Sequence, residues 1–170
     1  MPDESSIQPP VAESAPNSVG FLISQLGFFS SKRFAEALAP VGIGPKEFLL
    51  LRFVAASAGQ SQQALAQRLD VPPSRMVALV DDLEERGLLE RRLDPDDRRV
   101  RGLHLTEKGK ETVERAAAVA VEYETKLCSS LEGSERDQLI DLLRKIQQGQ
   151  TDLPGVHPGL GQDHPGPPRV

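Results

Sequence analysis

A single cysteine, Cys128, stands among the 170 residues, so no disulfide can form within the chain. Nothing points to an oxidising compartment. Long apolar runs are also missing. The greasiest stretch, Val19 to Phe29, is interrupted by Ser24, Gln25 and Gly27 and is too short to span a bilayer. The opening segment MPDESSIQPPVAES is acidic and proline-bearing, without the basic-then-apolar profile of a signal peptide. A cytoplasmic location without membrane association is the expectation. No P-loop, GxSxG, HExxH or glycine-rich dinucleotide turn occurs, so no enzyme and no cofactor is expected. His157, Asp163 and His164 lie in a tail without fixed spacing and support no metal site.

With 38% hydrophobic and 26% charged residues, the chain has the composition of one soluble globular domain. Residues 1–17 are rich in Pro, Ser and acid and read as a disordered tail. Residues 149–170 hold five glycines and five prolines and read as a second one. Between them, a helix over 18–39 should end at Pro40. Its first half (Val19, Phe21, Leu22, Ile23, Leu26, Phe28, Phe29) is apolar on nearly every side, and such a helix must be covered all round. One small domain cannot supply that cover, so a partner subunit is inferred. Gly44-Pro45 opens a helix to Ala56, apolar except at Arg52. Thr106 caps a long helix to about Ser130, weakened but not broken by Gly109. Gly133-Ser134 restarts one with Ser134 and Asp137 at capping-box spacing, its stripe being Leu139, Leu142, Leu143 and Ile146.

The centre of the chain, residues 61–106, carries the most specific pattern. Ser61 caps a short helix in which Leu65 and Leu69 share a face and Ala66 allows a close crossing. A second helix has Met76, Leu79, Val80 and Leu83 at i, i+3, i+4 and i+7 and ends at Gly87. Two such helices joined by a tight turn make a helix-turn-helix, and LDPDDRRVRGLHLT after them reads as a β-hairpin with a basic tip.

This unit resembles the MarR family of winged-helix transcriptional regulators. The residues carrying the resemblance are the helix pair Leu65 to Leu83, Arg86-Gly87-Leu88-Leu89, the run Asp94-Pro95-Asp96-Asp97-Arg98-Arg99, and Leu103-His104-Leu105-Thr106-Glu107-Lys108-Gly109. The similarity covers roughly residues 18 to 148. It implies a mainly α fold: a winged helix-turn-helix with a two-stranded β wing and a helical dimerisation region from the N- and C-terminal helices. The corresponding segments are a dimerisation helix over 18–44, a DNA-binding domain over 45–107 and C-terminal dimerisation helices over 108–148. It further implies a homodimer on double-stranded, pseudo-palindromic operator DNA, acting as a repressor released by a small aromatic or anionic ligand.

The formal charge of −5 argues against a nonspecific DNA binder, but distribution matters more than the sum. Between Arg91 and Arg101 stand five arginines against three aspartates. On a helical wheel centred on Met76, the outward face divides along its length. Ser74, Arg75, Val77 and Ala78 occupy the first turns, and Asp81, Asp82, Glu84 and Glu85 the later ones. Carboxylates near phosphates oppose binding, so the N-terminal half is the part expected to enter the major groove. Arg75 is the candidate for guanine O6 and N7, the alternatives being a solvated helix arginine or a partner of Asp82. Ser74 suits a phosphate or base edge, and Val77 and Ala78 suit a thymine methyl. The family more commonly places a hydroxyl and an arginine at those last two positions. Gln62 and Gln63 are candidate phosphate contacts or merely exposed polar residues. In the wing, the resemblance implies that Asp97 steadies Arg99, which enters the minor groove, where negative potential concentrates. Arg98 and Arg101 are assigned to the DNA backbone.

The effector implied by the resemblance would sit between the reading unit and the dimer helices, where Phe28, Phe29, Phe48, Arg52 and Phe53 are candidates, ordinary core packing being the alternative. The family's peroxide-sensing branch carries its cysteine in the first helix, where this chain has none, so Cys128 reads as an inert thiol. The rival function is a winged-helix module for protein–protein assembly without ligand control, which the same fold would permit.

Overall fold

The computed structural model describes residues 18–93, 101–150 and Leu160. The expected tails therefore lie largely outside the described residues, as do Asp97, Arg98 and Arg99 of the wing tip. Contacts divide the chain into two units, residues 1–33 and 34–170.

The first unit is represented by most of helix α1 (Val19–Leu38). Its apolar side chains are exposed from Val19 (62%) to Phe28 (69%), as expected for a surface awaiting cover. Phe28 and Phe29 meet edge-on with centroids 5.6 Å apart, and the Arg33 guanidinium lies 6.0 Å from the Phe29 centroid.

The second unit begins with the last turn of α1, where Leu38 is fully buried. Helix α1 stops one residue earlier than expected. Pro40 sits inside a 3-10 turn (Ala39–Val41), near whose start a missing N–H is harmless. Ile43, which the sequence groups with the dimerisation segment, is part of this unit's core. Then follow α2 (Pro45–Ala56), α3 (Gln62–Arg68), α4 (Pro73–Glu85), β1 (Leu89–Leu93), β2 (Arg101–Leu105), α5 (Glu107–Leu127) and α6 (Gly133–Gln148). Helix α2 has the expected bounds and buries Phe48, Leu50, Leu51 and Val54, packing on α5 and β2. Leu65, Leu69, Met76, Val80, Leu83, Leu89 and Leu103 complete the centre of the core. Each such side chain contributes about 1.5–3 kcal/mol when removed from water. Leu160, from the segment read as a disordered tail, is also buried in this cluster.

Strands β1 and β2 are antiparallel, with Leu89 opposite Leu105, Arg91 opposite Leu103 and Leu93 opposite Arg101. A third stretch joins β2. The Gly59 N–H donates to Leu103 O and the Leu103 N–H to Gln60 O, both at 2.9 Å, and Ser61 bridges Gly102. Gly102 permits this approach, since a Cβ there would lie 2.6 Å from Gly59 O.

The caps at Ser61, Gly87 and Thr106 follow the sequence, whereas α5 ends at Leu127, before the expected end near Ser130. Ser61 Oγ accepts from the Ala64 N–H at 3.1 Å, and Gly87 leaves α4 with φ +69°. Thr106 Oγ1 accepts from the Gly109 N–H (3.0 Å) while its hydroxyl donates to Gly87 O (2.6 Å). Because this hydroxyl both caps α5 and holds the exit of α4, Thr106→Val should lower stability by about 1–2 kcal/mol, read from a urea titration. Helix α6 departs from expectation. The Glu132 N–H donates to Glu135 Oε2 at 2.8 Å, so the cap lies two residues before the expected Ser134 and Asp137. Its stripe is half uncovered, with Leu139, Leu142, Leu143 and Ile146 40–50% exposed.

Candidate nucleic-acid interface

Helix α4 is set by its two ends. At its start the Pro72 carbonyl accepts from the N–H groups of Arg75 (3.0 Å) and Met76 (3.1 Å), with Pro73 in the first turn. The preceding turn passes through Asp70, at φ +50°, and the Val71 N–H closes it on Ala66 O at 3.0 Å. At the other end, Arg86 bonds Asp82 (2.9 Å), Glu47 (3.3 Å) and the carbonyl of Gly42, while Lys108 Nζ donates to Arg86 O at 2.8 Å. Helices α2, α4 and α5 are thereby tied at one corner. With Met76, Val80 and Leu83 buried, Ser74, Val77 and Ala78 are exposed and Arg75 is half-buried on the flank. Gln63 is exposed on α3, and Arg101 at the start of β2.

The described arginines of the basic hairpin do not act alike. Arg92 pairs with Glu90, two residues away on its own strand. Arg91 turns towards α4, where its guanidinium bonds Asp81 and Glu84, and also donates to Gln62 Oε1 at 2.9 Å. Gln62 is therefore half-buried and engaged by the wing through its amide oxygen. Three of the four carboxylates on the later turns of α4 are ion-paired, Asp81 and Glu84 with Arg91 and Asp82 with Arg86. The sequence misses the contacts of Arg91 because Glu84, Asp81 and Gln62 lie seven, ten and 29 residues away.

A cleft of about 780 Å³ opens elsewhere in the second unit, lined by Phe48 and Arg52 of α2, Ala117, Glu124 and Cys128 along α5, and Arg136 of α6. The Arg52 guanidinium lies 5.7 Å from the Phe48 centroid. Arg136 donates to Glu124 Oε1 at 3.0 Å, and this carboxylate, with Cys128 second, holds the arginine's pKa above its ordinary value. Of the candidate effector residues, Phe48 and Arg52 meet in this cleft. Phe53 does not line it, and its ring lies 5.5 Å from the Arg68 guanidinium. Phe28 and Phe29 belong to the other unit. The α5 side of the cleft was legible in principle, since Ala117, Val121, Glu124 and Cys128 recur at helical spacing. Cys128, read as inert, is half-buried on this wall.

Among the described residues, no group of three His, Cys, Asp or Glu is placed to hold a metal, and no helix is long and apolar enough to cross a membrane.

A helix pair with the outer helix half exposed, followed by a hairpin sewn to the first helix's leading strand, defines a winged helix-turn-helix protein. Residues 41–100 match the family model described as MarR family. A protein of Thauera aromatica named for transcriptional regulation of the hcr operon is 30% identical over 154 residues, covering 90% of this chain and 93% of that protein. The chain belongs to the MarR family and is a transcriptional regulator. Among solved structures, the transcriptional repressor CouR bound to a 23-mer DNA duplex is 32% identical, with a TM-score of 0.69 over 78% of this chain and 94% of that one. CouR from Rhodococcus jostii RHA1 bound to p-coumaroyl-CoA is 31% identical, with a TM-score of 0.66 over 79% and 95%. The comparisons lend no support to the assembly-module alternative.

Proposed function

We propose that this regulator is a homodimeric repressor that binds a pseudo-palindromic operator and leaves it when an aromatic, anionic effector binds. The observation that carries the reading is the division of α4. Its N-terminal half offers Ser74, Val77 and Ala78 to solvent beside Arg75, while ion pairs quench the acidic half. In this reading Arg75 and Ser74 address base edges and phosphate, Val77 and Ala78 meet apolar base surface, and Gln63 and Arg101 flank on the backbone. Asp97, Arg98 and Arg99 supply the minor-groove wing. The exposed stripes of α1 and α6 form the subunit interface. The effector's ring would lie against Phe48 and its anionic group near Arg52, consistent with the aromatic thioester carried by CouR.

The test starts from duplexes selected by the protein out of genomic DNA. Arg99→Ala should weaken binding to such a duplex at least about tenfold, equivalent to about 1.4 kcal/mol, with unchanged circular dichroism. Wild-type affinity in that variant contradicts the wing's role.

A further inference from the structure

The side chain of Arg91 is 19% exposed, and those of Asp81 and Glu84 are 56% and 40% exposed. The arginine's backbone N–H also donates to Glu84 Oε1, at 3.3 Å. One residue of β1 thus holds two successive turns of α4 and the first turn of α3, through Gln62. A planar guanidinium suits this, because its five donors diverge in a fixed fork that an ammonium lacks. The pairing has an electrostatic consequence as well. Asp81 and Glu84 sit on the helix proposed to enter the major groove, and bare carboxylates there would repel phosphates across a distance within the screening length of physiological salt.

From this geometry we infer that Arg91 is a positioning residue for DNA binding. It acts on DNA binding through the recognition helix, masking two of its carboxylates from the operator without touching DNA itself; the clamp geometry sets where the guanidinium sits. The role rests on the regulator reading above and extends it to a residue facing the protein. It also reassigns Gln62, which acts as the third anchor of this clamp.

The test compares wild type, Arg91→Gln, Asp81→Asn/Glu84→Gln and the triple variant on one selected duplex, by fluorescence anisotropy, with thermal melting as the control for folding. Masking predicts that Arg91→Gln loses about tenfold in affinity, because it exposes like charge to the phosphates. The triple variant removes the exposed charge together with the arginine and should return to within about threefold of wild type. Because salt screens the repulsion, the deficit of Arg91→Gln should shrink as salt rises. The triple variant should regain the wild-type slope of log affinity against log salt, whereas loss of a phosphate contact would leave the triple variant's slope reduced by about 0.9. If Arg91→Gln melts below the assay temperature, all four proteins are titrated at a temperature below its midpoint, and recovery in the triple variant is read there. A triple variant as weak as Arg91→Gln, a triple variant whose slope stays reduced, or wild-type affinity in Arg91→Gln would each overturn it. Failure of the wild type to select any duplex would instead remove the regulator reading, and this role with it.

Discussion

Gly109→Ala is expected to destabilise the domain by at least about 3 kcal/mol, against the direction that helix propensity dictates. In the first turn of α5, propensity alone would make alanine better than glycine by up to about 1 kcal/mol. Packing reverses the sign. A Cβ on Gly109 would stand 2.0 Å from the carbonyl oxygen of Leu88 and 3.0 Å from its carbon. Those are backbone atoms and cannot rotate away. The same carbonyl accepts from the Thr106 N–H at 3.3 Å, and Leu88 is buried. Relief would require α5 to move off the start of β1, breaking the Thr106 bridge to Gly87 and opening the core around Leu89 and Ala116. Urea unfolding monitored by circular dichroism measures the effect. A midpoint equal to or above wild type would show that α5 does not pack this closely.

Leu142→Asp is expected to produce the second large effect, on assembly and not on folding. Leu139, Leu142, Leu143 and Ile146 form an apolar stripe on α6 that the chain leaves 40–50% exposed. Contiguous apolar surface of this kind marks an interaction face. A carboxylate at its middle costs little in the free chain, where water reaches it, and much in an interface, where it would be buried unpaired. Sedimentation should show the variant monomeric at micromolar concentration where the wild type is a dimer. Operator affinity should then fall by about a hundredfold or more, because each subunit grips only one half-site. A variant that stays dimeric with wild-type affinity would place the interface elsewhere.

The parts of the fold legible in the sequence were those decided locally. Helix α2 has the expected bounds because Gly44-Pro45 starts it, and its apolar run needs no distant information. Ser61, Thr106 and Gly87 act at helix ends as their chemistry dictates. The stripe on α4 is buried where periodicity puts it, apart from the partly covered Leu79. What escaped the sequence depends on residues far apart in the chain. Gly109 reads locally as a weak helix residue, and only its contact with Leu88 gives it a packing role. Gly102 takes its meaning from Gly59, brought alongside to form the third stretch of the wing sheet. Arg91 looks like one more cation in a basic run until α4 is placed beside β1. The shift of the α6 cap from Ser134 to Glu132 has a different origin. Glu132 and Glu135 have the same three-residue spacing as the expected pair, and the helix starts from them. The candidate site divides the same way. Outward residues of α4 followed from the wheel, whereas the separation of Phe53 from Phe48 and Arg52 required the cleft itself.

The most direct measurement is a hydroxyl-radical footprint of the wild-type protein on a duplex selected from genomic DNA. The dimeric winged-helix account predicts two symmetric protected segments, with centres one or two helical turns apart and minor-groove protection where each wing enters. One unpaired protected segment, or uniform weak protection that vanishes against competitor DNA, would contradict it.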